Sequence, residues 1–251
     1  MKHLIAIILL ALTSVSALAE HFADESLNYK VMFKWGIINK NAGSVNITLA
    51  NATDRYRARL TAHSAPWADK FYRVRDTLKS VIIREGLYPV VYEKNSHEGS
   101  EDKIDKVVYS RDGHRMSADC TRRKWKNGKL VTDEKRTLQA TGTTVDMLTA
   151  FYYMRRLPYS TWKPGHVLTI NIFSGKRKEL LTIKYLGIQS VSTDLGKFDC
   201  YHISFIFTSD GRNRTSDDME AWIGTEAPHI PYRLEGKLPV GKVKCFYTGS
   251  N

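Results

Sequence analysis

The sequence predicts a mostly β protein: an antiparallel meander forming an open, curved sheet or an incomplete barrel or sandwich, with one helix inserted midway at about residues 144–156. Three observations carry this reading. Apolar and polar residues alternate with period two over most of the chain. Glycine-bearing dipeptides punctuate the alternating runs at close spacing. One segment alone switches to the 3.6-residue period of a helix.

The elements follow in chain order. Residues 1–19 have a positive start at Lys2, an apolar run from Leu4 to Leu12, and small residues at Ala17 and Ala19. That pattern predicts a secretory signal peptide cleaved after Ala19, and the run is too short to span a bilayer. No cysteine follows the cleavage site, which argues against a lipoprotein anchor. Residues 20–251 are read as a single β-rich exported domain, with the periplasm of a Gram-negative bacterium as the expected location.

Strands are expected over residues 25–140. In "DRYRARLTAHS", Tyr56, Ala58, Leu60 and Ala62 point one way and Arg55, Arg57 and Arg59 the other. This is a half-buried strand with a basic outer face. Val45, Ile47 and Leu49 alternate with Asn46 and Thr48 in the same way. Glu85-Gly86, Asp112-Gly113, Asn127-Gly128, Ser174-Gly175 and Asp210-Gly211 mark hairpins, because tight turns need positive φ. They divide the chain into roughly a dozen strands.

In "TTVDMLTAFYYMRRLP", Met147, Phe151 and Met154 recur on one helical face, with Leu148 and Tyr152 beside them. Thr143 and Asp146 fit a capping pattern with an acid in the first turn. Arg155 and Arg156 complement the dipole in the last turn, and Pro158 stops the helix. Strands resume over 165–248, with alternation at Leu168, Ile170 and Ile172, at Leu181, Ile183 and Tyr185, and at Ile203, Phe205 and Phe207. In "WIGTEAPHIPYRLEG", Ala221 and Ile223 share one face and Trp222 takes the other. Glu226 to His229 make a turn, and Pro231, which cannot donate to a ladder, starts the next strand or sits at an edge.

The second half resembles an exported bacterial family, domain of unknown function 3108. The resemblance is carried by "VDMLTAFYYMRRLP", "KPGHVLTINIF", "LGKFDCYHISF" and "MEAWIGTEAPHIPYRLEGKLPVGKVKCFY", in that order and spacing. It covers residues 143–248, and the earlier strands more loosely. Where many members carry acids after the Trp strand, this chain has Gly224-Thr225-Glu226-Ala227, and its acidic pair Asp217-Asp218 precedes the Trp. The resemblance implies a β-rich periplasmic fold and brings no established chemistry. More distantly, the Trp and Pro-basic pattern is similar to envelope proteins with an open, curved sheet, such as lipoprotein carriers, whose concave apolar face shelters acyl chains. Some similar exported β proteins accompany polysaccharide export.

Composition narrows the partners. The formal charge of +12 becomes +11 (37 − 26) without Lys2. A basic exported protein has no expected nucleic acid partner. Its expected anionic ligands are lipid head groups and acidic glycans, with peripheral membrane contact and an envelope protein partner as further expectations. Cys120, Cys200 and Cys245 are too few for a disulfide scaffold. Cys200 and Cys245 both fall in C-terminal strands, and an oxidising compartment would let them bridge. The alternative is that the cysteines are small buried hydrophobes.

The motifs of catalysis are missing. The chain has no Gly-x-Ser-x-Gly and no Ser-x-x-Lys, and its histidines are scattered without metal-ligand spacing. No cofactor or metal is expected. Carboxylates cluster at Glu98, Glu101 and Asp102 and at Asp217, Asp218 and Glu220, in polar segments where charge is read as solvated. A hydrolase is therefore the weakest reading. The expected ligand or rim contacts are Arg122, Arg123, Lys124 and Lys126 around Trp125 at an Asn-Gly hairpin tip, with the aromatic loops carrying Trp67 and Phe71 and carrying Tyr159 and Trp162. Each loop has a plainer alternative, that its aromatics plug the cup as core. The expected function is a non-catalytic binding or carrier module for a lipid, acylated protein or glycolipid. The competing reading is an envelope assembly factor acting through protein or polysaccharide contacts.

Overall fold

The computed structural model describes residues 21–209, 213–214 (backbone only), 218–238 and 240–250. The predicted leader, Asp217 and the Asp210-Gly211 turn lie outside these residues. The first half is a run of long strands: β1 (Glu25–Trp35), β2 (Ile38–Ala52), β3 (Arg55–Ser64), β4 (Val74–Ile83), β5 (Tyr88–Glu98), β6 (Glu101–Asp112), β7 (Arg115–Lys126) and β8 (Lys129–Thr141). A one-turn helix, α1 (Pro66–Asp69), sits between β3 and β4. Then come β9 (Thr144–Val145), α2 (Met147–Arg155), β10 (Val167–Phe173), β11 (Lys178–Thr193) and β12 (Gly196–Ser209). The chain closes with β13 (Asn213–Arg214), β14 (Met219–Gly224), β15 (Pro231–Lys237) and β16 (Lys242–Ser250).

Hydrogen bonding joins these strands into one sheet, ordered β8-β7-β6-β5-β4-β3-β2-β1-β16-β15-β14-β12-β11-β10-β9, with β13 on β12. Because β1 pairs with β16, the first and last long strands meet in the middle of the path. The sheet curls into a nearly closed barrel with an unsealed seam between its two ends. The predicted hairpin glycines do the expected work: Gly86, Gly113, Gly128 and Gly175 all have positive φ.

Side chains cross the seam in place of a backbone ladder. Asn171 Nδ2 donates to Thr141 O and Thr143 O at 3.1 Å each, Arg136 Nη1 donates to Lys176 O at 2.6 Å, and Tyr109 OH donates to Phe173 O at 3.1 Å from inside.

The helix is shorter than predicted, and Asp146 is its N-cap. Thr143 lies outside it, its carbonyl taking the N–H of Asn171. Asp146 Oδ1 accepts from Leu148 N at 2.8 Å and Thr149 N at 2.7 Å. Its Oδ2 accepts from the Ser80 and Thr149 hydroxyls at 2.7 Å each, which pins the helix start to β4. Leu148 and Tyr152 pack with Leu27, Tyr56, Ile82, Tyr92 and Val107, while Ala150 and Met154 pack with Ile170, Leu181 and Ile203. The helix thus joins two apolar clusters and fills one end of the barrel with the protein's own side chains. Each large apolar side chain so buried stabilises by about 1.5–3 kcal/mol.

Arg155, read from the sequence as complementing the dipole in the last turn, is fully buried. Its guanidinium grips Glu25 of β1 with Nη1–Oε1 2.5 Å and Nη2–Oε2 3.0 Å. It also donates to His229 O at 3.1 Å and Pro228 O at 3.0 Å. The Trp222 to Gly236 stretch is strand, turn and strand as predicted, with Pro231 opening β15. Its turn has a partner the sequence did not suggest.

The β11–β12 hairpin outruns the barrel and folds over its outer face. Asp194 near the hairpin tip meets Lys30 of β1 at 2.8 Å. Phe198 stacks on Tyr232 with centroids 3.8 Å apart, and Trp222 Nε1 donates to Gln189 at 2.8 Å. A bulge between Tyr185 and Gly187 makes the bend.

The Cys200–Cys245 bridge is corrected. Two strands, β14 and β15, lie between β12 and β16. Three strand spacings amount to about 14 Å, twice the reach of a disulfide. All three thiols are free.

Candidate functional site: a basic cleft at the barrel seam

The inward face changes character along each strand from β4 to β8. On β7, Met116, Ala118 and Cys120 are buried apolar residues beside α2. The same alternating face continues as Arg122 and Lys124. Register aligns the change across strands. Ser80, Tyr92, Val107 and Cys120 form one rung. The next rung away from the helix is Leu78, Lys94, Asp105, Arg122 and Glu134, and the one after is Asp76, Ser96, Lys103, Lys124 and Thr132. Directly opposite charges of unlike sign stabilise a ladder. Only Lys103 and Lys124 are a like pair, and Glu101 bridges them at 3.1 and 2.7 Å.

Ion pairs hold this half of the barrel. Arg122 meets Asp105 at 3.0 Å, Lys94 meets Asp76 at 3.5 Å and Glu98 at 3.3 Å, and Lys103 meets Glu98 at 3.1 Å. Burial pushes Asp105 and Asp76 above the usual carboxylate range, even with Arg122 and Lys94 beside them. Burial would also raise Glu98, but Lys94 and Lys103 outweigh it and hold it below that range. Hydrogen bonds from Lys124 and Lys103 lower Glu101. These acids are therefore paired inside the barrel, which corrects the expectation that Glu98 and Glu101 are simply solvated. Asp102 instead contacts His97, and Glu220 contacts His202 at 2.7 Å.

At the seam the balance of charge tips. Arg122, Lys124, Thr132, Glu134, Arg136, Lys176 and Arg177 line a cleft of about 430 Å³. It faces five cations and one acid. The β10–β11 turn brings in Lys176 and Arg177, and the hydrogen bond from Arg136 to Lys176 O holds that turn against β8. Arg136 also pairs with Glu134, and Arg177 with Glu179 at 3.2 Å. Lys176 is exposed. Planar guanidinium groups and ammoniums converging on a part-exposed cleft suit a phosphate or carboxylate.

The expected basic tip is split by strand alternation. Arg122 and Lys124 enter the cleft. Arg123 points to the opposite face, where it meets Asp133 at 3.4 Å, and Trp125 is half-buried beyond a bulge that follows Lys124. Lys126 is exposed at the hairpin end. Tyr159 is core, not rim: it is buried, donates to Met154 O at 2.8 Å and sits edge-on to Trp162. Trp162 is half-buried and stacks on His166 at 4.2 Å. Trp67 is half-buried, and Phe71 is exposed at the opposite end of the barrel from α2. Arg136, Lys176 and Arg177 were missed. The basic run "GKRK" (175–178) after a predicted turn was the available signal.

Among the described residues, no group of three or more His, Cys, Asp or Glu could hold a metal. Burial pushes the thiols of Cys120 and Cys245 up to about 11 and Cys200 to about 12, away from thiolate chemistry.

A family model described as "Protein of unknown function (DUF3108)" matches residues 28–247. The chain belongs to this family. The match takes in all the strands of the cleft, beyond the half on which the sequence resemblance rested. The fold is similar to the crystal structure of a β-barrel-like protein of domain of unknown function DUF1849 from Brucella abortus. That likeness has a TM-score of 0.65 at 10% identity and covers 92% of this chain and 98% of the other. No curated protein matches the chain.

Proposed function

We propose that this family member is a non-catalytic binding module of the bacterial envelope that takes an anionic group in the seam cleft. The group is a phosphate or carboxylate, carried by a lipid head group, a glycolipid or an acidic glycan. The observation that carries the reading is the convergence of Arg122, Lys124, Arg136, Lys176 and Arg177 on one cleft whose lining holds a single acid, Glu134. The leader-like residues 1–19 support an exported, periplasmic setting. The filled end around α2 favours recognition of a head group over enclosure of acyl chains there.

The test is isothermal titration at low salt with inorganic phosphate and with glucuronate. Each arm represents one ligand source. The K124A/R177A variant should bind the preferred anion about tenfold or more weakly, and added salt should weaken wild-type binding. Equal affinity of wild type and variant would sink the proposal, as would no heat at millimolar anion.

A further inference from the structure

The end of the barrel opposite α2 carries an apolar rim that the cleft does not use. Three neighbouring tips build it: the β1–β2 hairpin, the β3–β4 loop and the β15–β16 turn. Ile37 is fully exposed and Phe71 is 82% exposed, with Trp35, Tyr72, Leu238 and Val240 also exposed beside them. The tips touch. Trp67 Nε1 of the β3–β4 loop donates to Asn41 O of β2 at 2.6 Å, Lys40 lies 4.8 Å over the Trp67 ring, and Phe71 sits edge-on to Trp67. At Gly241 a Cβ would come within 2.4 Å of Lys34 O, so the β15–β16 turn packs on the end of β1.

Charge surrounds these residues with one sign. Segments 34–41, 65–73 and 237–242 hold six cations (Lys34, Lys40, Lys70, Arg73, Lys237, Lys242) and one acid, Asp69. Asp69 is already taken by Arg75 at 2.6 Å and by the Ser64 hydroxyl. Lys34, Lys242 and Lys237 stand on one rung across β1, β16 and β15. Like charges directly opposite destabilise a sheet; Glu235 reaches Lys242 at 3.9 Å, and Lys34 and Lys237 have no ion pair among the described residues. Exposed Trp, Tyr and Ile framed by lysines match the interface of an anionic bilayer, where apolar tips enter the acyl boundary and ammoniums meet head groups.

The geometry points to this rim as a peripheral membrane-binding surface for anionic phospholipid. The rim is separate from the seam cleft, and the two stand or fall independently. The test uses the full chain without its leader and vesicles of phosphatidylcholine with or without about one third phosphatidylglycerol. Co-sedimentation should show binding only to the anionic vesicles, with a blue shift of tryptophan emission. I37S/F71S and, separately, K34E/K242E should each lower the partition coefficient about tenfold or more. Both should keep wild-type circular dichroism and wild-type phosphate affinity at the cleft. K124A/R177A, which removes any head-group contact made by the cleft, should lower vesicle binding by far less than either rim variant. Vesicle binding untouched by either rim variant would overturn the assignment. So would absence of vesicle binding together with a dimer in light scattering that I37S/F71S dissolves, because the occupant would then be a second copy of the chain.

Discussion

Glu25→Ala should be among the most damaging single changes in the barrel. Arg155 has no solvent exposure, and Glu25, itself 11% exposed, is its only carboxylate partner among the described residues. The bidentate pair is completed by Pro228 O and His229 O, and by the rings of Phe22, Phe151 and Tyr152 at 4.6, 5.4 and 5.5 Å from the guanidinium carbon. Alanine at position 25 leaves a buried cation held only by carbonyl dipoles and ring faces. Breaking a buried pair by removing one partner costs about 3–5 kcal/mol, a large share of the ~5–15 kcal/mol that holds a typical domain folded. Removing both charges with Glu25→Leu and Arg155→Met takes away the orphan as well. The double variant should then lose less than the sum of the singles by about 2 kcal/mol or more. Urea unfolding followed by circular dichroism measures all four species. A Glu25→Ala loss under about 1 kcal/mol, or additivity in the cycle, would refute the claim that this pair ties α2, β1 and the 225–230 turn together.

Asp146 gives a second test. Asp146→Ala orphans two helix N–H groups and leaves the Ser80 and Thr149 hydroxyls only each other, 3.2 Å apart, and should cost about 2 kcal/mol or more, whereas Asp146→Asn keeps an acceptor at the cap. Burial raises the Asp146 carboxyl above its ordinary 3.8, so its stabilising contribution is full below that pH and is lost as pH rises through the raised value. Asp146→Asn should therefore gain on wild type as pH rises above that ordinary value, and a difference that stays flat with rising pH speaks against the assignment. The third test is chemical: an aromatic disulfide reagent should find no fast thiol in the native protein and three thiols after denaturation without reductant. A count of one would restore the Cys200–Cys245 bridge.

Local pattern carried the architecture well. Period-two alternation placed β2 and β3 with their inward faces correct, and the Ala221, Trp222 and Ile223 alternation with Pro231 gave the β14–β15 turn. The same rule applied to residues 116–124 would have separated Arg122 and Lys124 from Arg123 and shown basic residues continuing an apolar face. Reading that stretch as a hairpin cluster hid the cleft, because compositional grouping ignores which side of the sheet each residue takes. Arg155 was beyond local reading altogether. Its partners at positions 25 and 228–229 are set by the closure of β1 on β16, not by any spacing near the helix. The extra strands have a simpler cause, since two-residue ladders such as β9 leave no periodic signal.

The division of the interior bears on the cleft. Replacing ion pairs by packed apolar residues is often neutral or stabilising, so a barrel selected for stability alone has no need of the Lys94-Asp105-Arg122-Glu134 rung. What lowers the cost here is partial access to water: Arg122, Lys103 and Lys124 keep 15, 19 and 27% of their side-chain surface. Pairing satisfies the rungs between β4 and β7 with near-equal numbers of each sign. At β8 the ladder ends, β11 contributes Glu179 to Arg177 alone, and the β10–β11 turn adds the exposed Lys176. The unsealed seam therefore does two things at once. It leaves Lys176 in no ion pair among the described residues while Arg136 and Arg177 hold one acid each, and it opens the cleft that an external anion fills in the proposed function.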